Sequence, residues 1–290
     1  MYTAPRTDLA AEAREIFCEK TADGVLPEGV SVTTSEQNGF PVERITVRNV
    51  AGSASLCKPI GSYVTVGLDA LLRRETDGFQ NACQLLSSLL RELLPLGREE
   101  SVLVAGLGNE AITPDALGPL SAQFVMVTRH LKERMPDAFR PLRSVSVVRS
   151  GVLGTTGIES SDLVAAAVRI VRPACVIAVD ALCARSFEKL CRTVQLSDSG
   201  IVPGSGVGNA RLALNADTLG VPVIAVGVPT VVDAAALCAQ TPSPDTAAGM
   251  IVTPRDIDAR VRDAARLIGY SIDLALHPAL TPGDVDMFLS

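Results

Sequence analysis

The 290-residue chain contains no tryptophan, two histidines and only 3% aromatic residues, so its interior must be aliphatic and a histidine-based triad is poorly supplied. It has no apolar run approaching the roughly 18–20 residues that cross a bilayer. Residues 1–20 carry charges throughout, which argues against a signal peptide. Seven cysteines (Cys18, Cys57, Cys83, Cys175, Cys183, Cys191, Cys238) include no C-x-x-C pair, so neither a disulfide framework nor a zinc knuckle is expected. A basic surplus is missing as well. With 26 Lys and Arg against 32 Asp and Glu, the net charge is −6, unsuited to phosphate-backbone binding. The expectation is a chain in a reducing, cytoplasmic compartment, with no membrane, nucleic-acid, metal or cofactor partner.

What is present reads as a globular chain, 47% hydrophobic and 20% charged. Residues 1–27 mix charges and turn formers and begin as a tail. Alternating runs at 30–34 and 42–47 flank Gln37-Asn38-Gly39, and Asn-Gly between such runs predicts a hairpin. Residues 76–96 carry Leu85, Leu86, Leu89, Leu90, Leu93 and Leu94 on one helical face. Beyond residue 101, apolar runs at 102–105, 144–148, 175–179 and 221–226 alternate with helical patterns. One helix is expected through Leu117, Leu120, Phe124, Val127 and Leu131. A second follows a cap at Ser160 or Ser161. Thr253-Pro254-Arg255-Asp256 reads as N-cap, N1 proline and acidic first turn of a final helix. The fold class is α/β, with a mostly parallel or mixed central sheet flanked by helices and an N-terminal hairpin region at about 28–75.

In such sheets ligands sit beyond the carboxyl ends of strands. Three segments qualify: 106–119, 180–186 and the glycine-rich loop 198–209. The first opens with Gly106-Leu107-Gly108-Asn109-Glu110-Ala111, a formal G-x-G-x-x-A match. Pro114 interrupts the helix that a dinucleotide site needs, and no ribose-binding acid ends a second strand near residue 131. Thr113-Pro114-Asp115-Ala116 fits better as cap, N1 and first turn. Asp115 is then either a carboxylate favoured by the helix dipole or a catalytic group. Asp180 directly follows the 175–179 run; it either caps 181–185, pairs with Arg185, or does chemistry. Position alone leaves these alternatives open. Two aspartates at neighbouring strand ends would share a proton, the charged one accepting from water while the neutral one donates to a carbonyl.

The loop 198–209 has glycines able to expose amides to a substrate, Gly204 and Gly206 among them, and lacks the G-K-[ST] of a phosphate loop. Asn109, Thr113 and those loop amides are candidate supporting or oxyanion donors. His130 reads as a solvated surface group, and His277, near a helix end, as a partner of the dipole. Cys183 has no histidine placed beside it and reads as structural.

Several blocks together resemble the spore germination protease family. They are Arg6-Thr7-Asp8-Leu9-Ala10, Gly106-Leu107-Gly108-Asn109, Thr113-Pro114-Asp115-Ala116-Leu117-Gly118-Pro119, Thr128-Arg129-His130-Leu131 and Thr156-Gly157-Ile158-Glu159-Ser160-Ser161-Asp162. Asp180-Ala181-Leu182-Cys183-Ala184-Arg185-Ser186, the blocks 197–201 and 203–209, and Gly227-Val228-Pro229-Thr230-Val231-Val232-Asp233-Ala234 follow in the same order. The resemblance implies an atypical aspartic-type endopeptidase, similar in architecture to hydrogenase-maturation endopeptidases, that degrades small acid-soluble spore proteins during germination. It implies Asp115 and Asp180 as the essential pair. It also implies a zymogen cut after Asp8, before Leu9, so that residues 1–8 form a propeptide and 9–290 a single peptidase domain. A homotetramer in the forespore or spore core is implied too. A long polar insertion of familiar members, between Asp233 and Met250, is nearly absent here. Two rivals remain: a metal-dependent maturation-type endopeptidase of the same fold, and a non-catalytic binding relative.

Overall fold

The computed structural model describes residues 7–21, 25–73, 76–97, 99–205, 211–237 and 250–289. Alternation at the N-terminal side produces the expected hairpin of β1 (Val30–Gln37) and β2 (Phe40–Val47), paired from Val30↔Val47 to Gln37↔Phe40. Asn38 (φ 51°) and Gly39 (φ 79°) form its turn, both left-handed, as the twist of a two-residue hairpin demands. Both strands run longer than the apolar alternation suggested. β3 (Gly61–Gly67) lies antiparallel on β2.

The remaining strands are β4 (Val102–Leu107), β5 (Val145–Gly151), β6 (Cys175–Ala184), β7 (Thr193–Ser197), β8 (Val223–Asp233) and β9 (Ile251–Val252). All join one sheet in the order β1-β2-β3-β7-β8-β6-β4-β5, with β9 on β8. The β8-β6-β4-β5 half is parallel, and the hairpin half is joined to it antiparallel through β7. The fold is thus α/β with a mixed sheet. Of the parallel strands, β4, β6 and β8 are buried on both faces, which is why they read as continuous apolar runs, while β5 lies at the edge. Val102, Val104 and Ile177 pack with Leu86, Leu89 and Ile268 from the helices Gly78–Leu93 and Ile257–Leu276. Leu103, Ala105, Val176 and Ala178 pack on the other side with Val164 and Val168 of the helix Ser160–Val171.

Four expectations are corrected. The single helix through 117–131 is broken into Leu117–Ser121, a 3₁₀ turn Ala122–Phe124 and Arg129–Arg134. The buried Asp273 carboxylate accepts the Met126 N–H at 3.0 and 3.2 Å, and this tertiary bond replaces the intrahelical one. The helix expected from Thr253 begins at Ile257, because the Thr253 hydroxyl donates instead to the Thr230 carbonyl at 2.8 Å. That helix is not the last, since Pro282–Leu289 follows. Finally, the N-terminal stretch is docked from Thr7 onward and forms the helix Ala10–Lys20, with Leu9, Ala10, Ala11 and Glu12 fully buried.

His277 closes the helix Ile257–Leu276, yet the dipole does not decide its charge. Burial, assisted by nearby Arg143 and Lys132, pushes its pKa down to about 4, and Nδ1 accepts the Arg143 N–H at 3.2 Å. A histidine depressed in the folded state contributes stability that is full above its unfolded value near 6.5. That stability is lost as pH falls through the folded value. Acidification from pH 7 to 4 is therefore expected to remove about 3 kcal/mol through this residue. The loss should be smaller by that amount in His277→Asn, read from urea midpoints at both pH values.

Candidate active site

β4 ends in Gly106-Leu107-Gly108, and the chain must fold back at once for Asp115 to reach the strand end. Gly108, at φ 112°, makes that turn, and a Cβ there would meet the Asp115 carbonyl oxygen at 2.1 Å. A Cβ on Gly118 would strike Leu107 and Val179 backbone at 2.2–2.4 Å, so two bare backbones let the following helix lie against β4 and β6. Asp115 thus sits in a 3₁₀ turn, Thr113–Asp115, rather than the first turn of a helix. Its Oδ2 accepts the Asn109 N–H at 2.8 Å. The Pro114 carbonyl accepts the Thr230 hydroxyl at 2.6 Å, which ties the turn to β8.

Asp180 does not follow its strand but lies inside it: β6 continues to Ala184 because β8 runs alongside. The residue is 5% exposed. Its Oδ1 accepts the Ala181 N–H at 2.9 Å. The bland alternatives fail here. Asp180 caps no helix, and Arg185 pairs with Glu19 at 2.8 and 3.0 Å.

Asp115 and Asp180 line one cavity of about 240 Å³, together with Gly108, Pro114, Leu182, Gly204 and Thr230. Burial holds the Asp180 carboxyl well above the usual carboxylate range, and the neighbouring Asp115 and Asp8 charges push the same way. Asp115 is half-buried; desolvation raises it while the Asn109 amide draws it down. Both carboxyls are thus pushed above the ordinary carboxylate range, that of the more deeply buried Asp180 the more strongly.

Asp8 lines the same cavity. It exchanges bonds with Cys183 (Asp8 N–H to the Cys183 carbonyl, 2.9 Å; Cys183 N–H to Asp8 Oδ2, 2.8 Å) and accepts the Ser205 hydroxyl at 2.5 Å on Oδ1. Leu9 is fully buried beside it. The other candidates separate. Gly204 lines the cavity, whereas Gly206 and residues 1–6 lie outside the described residues. Asn109 contributes its backbone amide, its side chain accepting the Ala111 N–H at 3.1 Å. The Thr113 hydroxyl points away, to Asp258 at 2.7 Å. Cys183 is buried, its thiol pushed up to about 12 by desolvation, and is no nucleophile. His130 is exposed.

Sequence reasoning missed Glu12, Lys58 and Gln195. Glu12 accepts the Thr7 hydroxyl (2.5 Å), the Arg185 and Ser186 amides (2.6 and 3.1 Å) and the Ser186 hydroxyl (3.0 Å). Lys58 donates to the Thr7 and Asp8 carbonyls, and Gln195 donates to the Asp8 carbonyl while accepting the Ala10 N–H. No local pattern marks any of the three.

Among the described residues, no group of three or more His, Cys, Asp and Glu side chains is arranged to hold a metal ion. Nor is any helix among them long and apolar enough to cross a membrane.

Residues 10–243 match the family model described as germination protease. The chain is 38% identical to the germination protease of Caldanaerobacter subterraneus subsp. tengcongensis over 321 aligned positions, covering 98% of each chain. Identity to that of Clostridium tetani is 37%, over 98% of this chain and 99% of the relative. Against that of Bacillus mycoides it reaches 42% over 240 positions, 81% of this chain and 65% of the relative. With a family-model match over most of its length and relatives aligned over nearly all of it, the chain belongs to the germination protease family, whose members are endopeptidases acting in spore germination.

Proposed function

We propose that this chain is a self-processing aspartic-type endopeptidase in which Asp115 is the base and Asp180 the acid. Asp115, ionised and steadied by the Asn109 amide, takes a proton from water. The water oxygen adds to the peptide carbon, and the carbonyl π pair moves onto oxygen. Asp180, whose carboxyl burial raises well above the usual range, is the proton donor of the pair. When the C–N bond breaks, the carbonyl re-forms from the oxygen lone pair, the leaving nitrogen takes the Asp180 proton, and the proton held by Asp115 passes to Asp180. One water is consumed and the proton count is restored.

The observation that carries this reading is the placement of Asp8 in the cavity that both carboxylates line. On this reading the chain's own acidic–apolar bond, Asp8–Leu9, is the bond offered to the pair, in a zymogen whose residues 1–8 are removed and whose residues 9–290 form the peptidase domain. Small acid-soluble spore proteins are the proposed substrates, cut at similar acidic–apolar bonds in the spore core. A homotetramer and an architecture like that of hydrogenase-maturation endopeptidases belong to the same proposal.

The test is incubation of the purified full chain with a small acid-soluble spore protein, reading all new termini by mass spectrometry. Leu9 is expected as a new N-terminus, with cuts after acidic residues in the added protein. An intact chain and an intact spore protein together would overturn the reading.

A further inference from the structure

We propose that Lys58 and Gln195 form the oxyanion site of this protease, holding the carbonyl oxygen of the bond to be cut. The inference rests on the reading of Asp8–Leu9 as that bond, but not on which aspartate is the base.

The helix Val50–Leu56 ends at Cys57, whose left-handed φ of 51° turns the chain, and the Lys58 N–H closes back on the Ser53 carbonyl at 3.2 Å. That termination aims Lys58 inward. Its Nζ donates to the Asp8 carbonyl at 2.9 Å and to the Thr7 carbonyl at 3.0 Å. From β7, the Gln195 Nε2 donates to the same Asp8 oxygen at 3.2 Å, while its Oε1 accepts the Ala10 N–H at 2.7 Å. Gln195 is 8% exposed. The scissile carbonyl therefore meets an ammonium and an amide, both already in place before any water attacks.

The two sets of groups flank the bond. Asp115 and Asp180 line the 240 Å³ cavity; Lys58 and Gln195 line a neighbouring one of about 520 Å³; Asp8 lines both. Attack from the aspartate side moves the π electrons onto the oxygen on the other side, where a desolvated ammonium gains most from a developing negative charge. Burial draws the Lys58 pKa down, and the Asp8 charge opposes that. All four contacts are to backbone atoms, of residues Thr7, Asp8 and Ala10. They grip the chain at the carbonyls before and at the cut and at the second amide beyond it. An added substrate of different side chains would be set in the same register.

The rival explanation is that Lys58 only anchors the N-terminal segment. The experiment compares self-cleavage after Asp8 in the full-length parent, Lys58→Met, Lys58→Arg and Asp115→Asn, with hydrogen exchange of the helix Ala10–Lys20 measured in each. Lys58→Met is expected to slow self-cleavage by roughly 10²–10³-fold. Helix protection should stay at the parent level, and Lys58→Arg should recover part of the rate. Self-cleavage of Lys58→Met within about threefold of the parent would overturn the proposal, as would slowing accompanied by lost helix protection. If Lys58→Met fails to fold, Gln195→Met under the same measurements decides, with slowing at retained protection expected. Parent-level self-cleavage by Asp115→Asn would strike the aspartate reading alone.

Discussion

Asp115→Asn and Asp180→Asn should each lower both self-cleavage after Asp8 and cleavage of an added spore protein by at least roughly 10³-fold, since each removes a proton-transfer group from the cavity. Their stabilities should diverge. Burial in a nearly closed site raises the folded pKa of Asp180 above its unfolded one. Such a group contributes stability that is full below the unfolded carboxylate range and lost as pH rises through the folded value. At pH 7 the parent bears that loss, and an asparagine, which never ionises, does not. Its side-chain oxygen still accepts the Ala181 amide. Asp180→Asn should therefore melt above the parent at pH 7, with the difference closing below about pH 4. An inactive variant that melts lower at pH 7 would indicate that Asp180 supports the fold rather than the reaction. Normal proteolysis by both variants would remove the dyad altogether.

The strand ends that bring the two aspartates to one cavity were legible because their signals are local. Apolar runs buried on both faces announce parallel strands, and the glycines of Gly106-Leu107-Gly108 announce a sharp turn at a strand end. Even so, the local pattern placed Asp180 beyond its strand, whereas β8 extends β6 to Ala184 from a distance of nearly fifty residues in sequence. Similarly, the periodicity of 117–131 fits one helix until the Asp273 carboxylate, from near the far end of the chain, takes the Met126 amide. Glu12, Lys58 and Gln195 stayed hidden for the same reason. Each contributes a single polar group whose partner lies far away in sequence: Glu12 meets Arg185, Lys58 meets Asp8, and Gln195 meets Ala10. A helix end, a short antiparallel strand and the N-terminal segment converge only once the sheet has formed.

Glu12 offers the sharpest separation between holding the N-terminal segment and cutting it. Its carboxyl oxygens accept four donors, two of them main-chain amides of Arg185 and Ser186 that directly follow β6. Glu12→Ala leaves those donors without their partner in a site where the parent residue is fully buried. The expected cost is on the order of 3 kcal/mol, borne mainly by docking of the segment rather than by the sheet. Hydrogen exchange should show the helix Ala10–Lys20 losing protection while β4 and β6 keep theirs, and self-cleavage should fall by tenfold or more. Glu12→Gln, which retains one acceptor oxygen but turns an amide NH₂ toward donors, should fall between the two. Activity on an added spore protein should survive in both variants and rise in the alanine variant, because an undocked segment no longer occupies the cavity shared by Asp8, Asp115 and Asp180. Loss of both activities together would mean that the docked segment helps to shape the active site, and is not merely its first occupant.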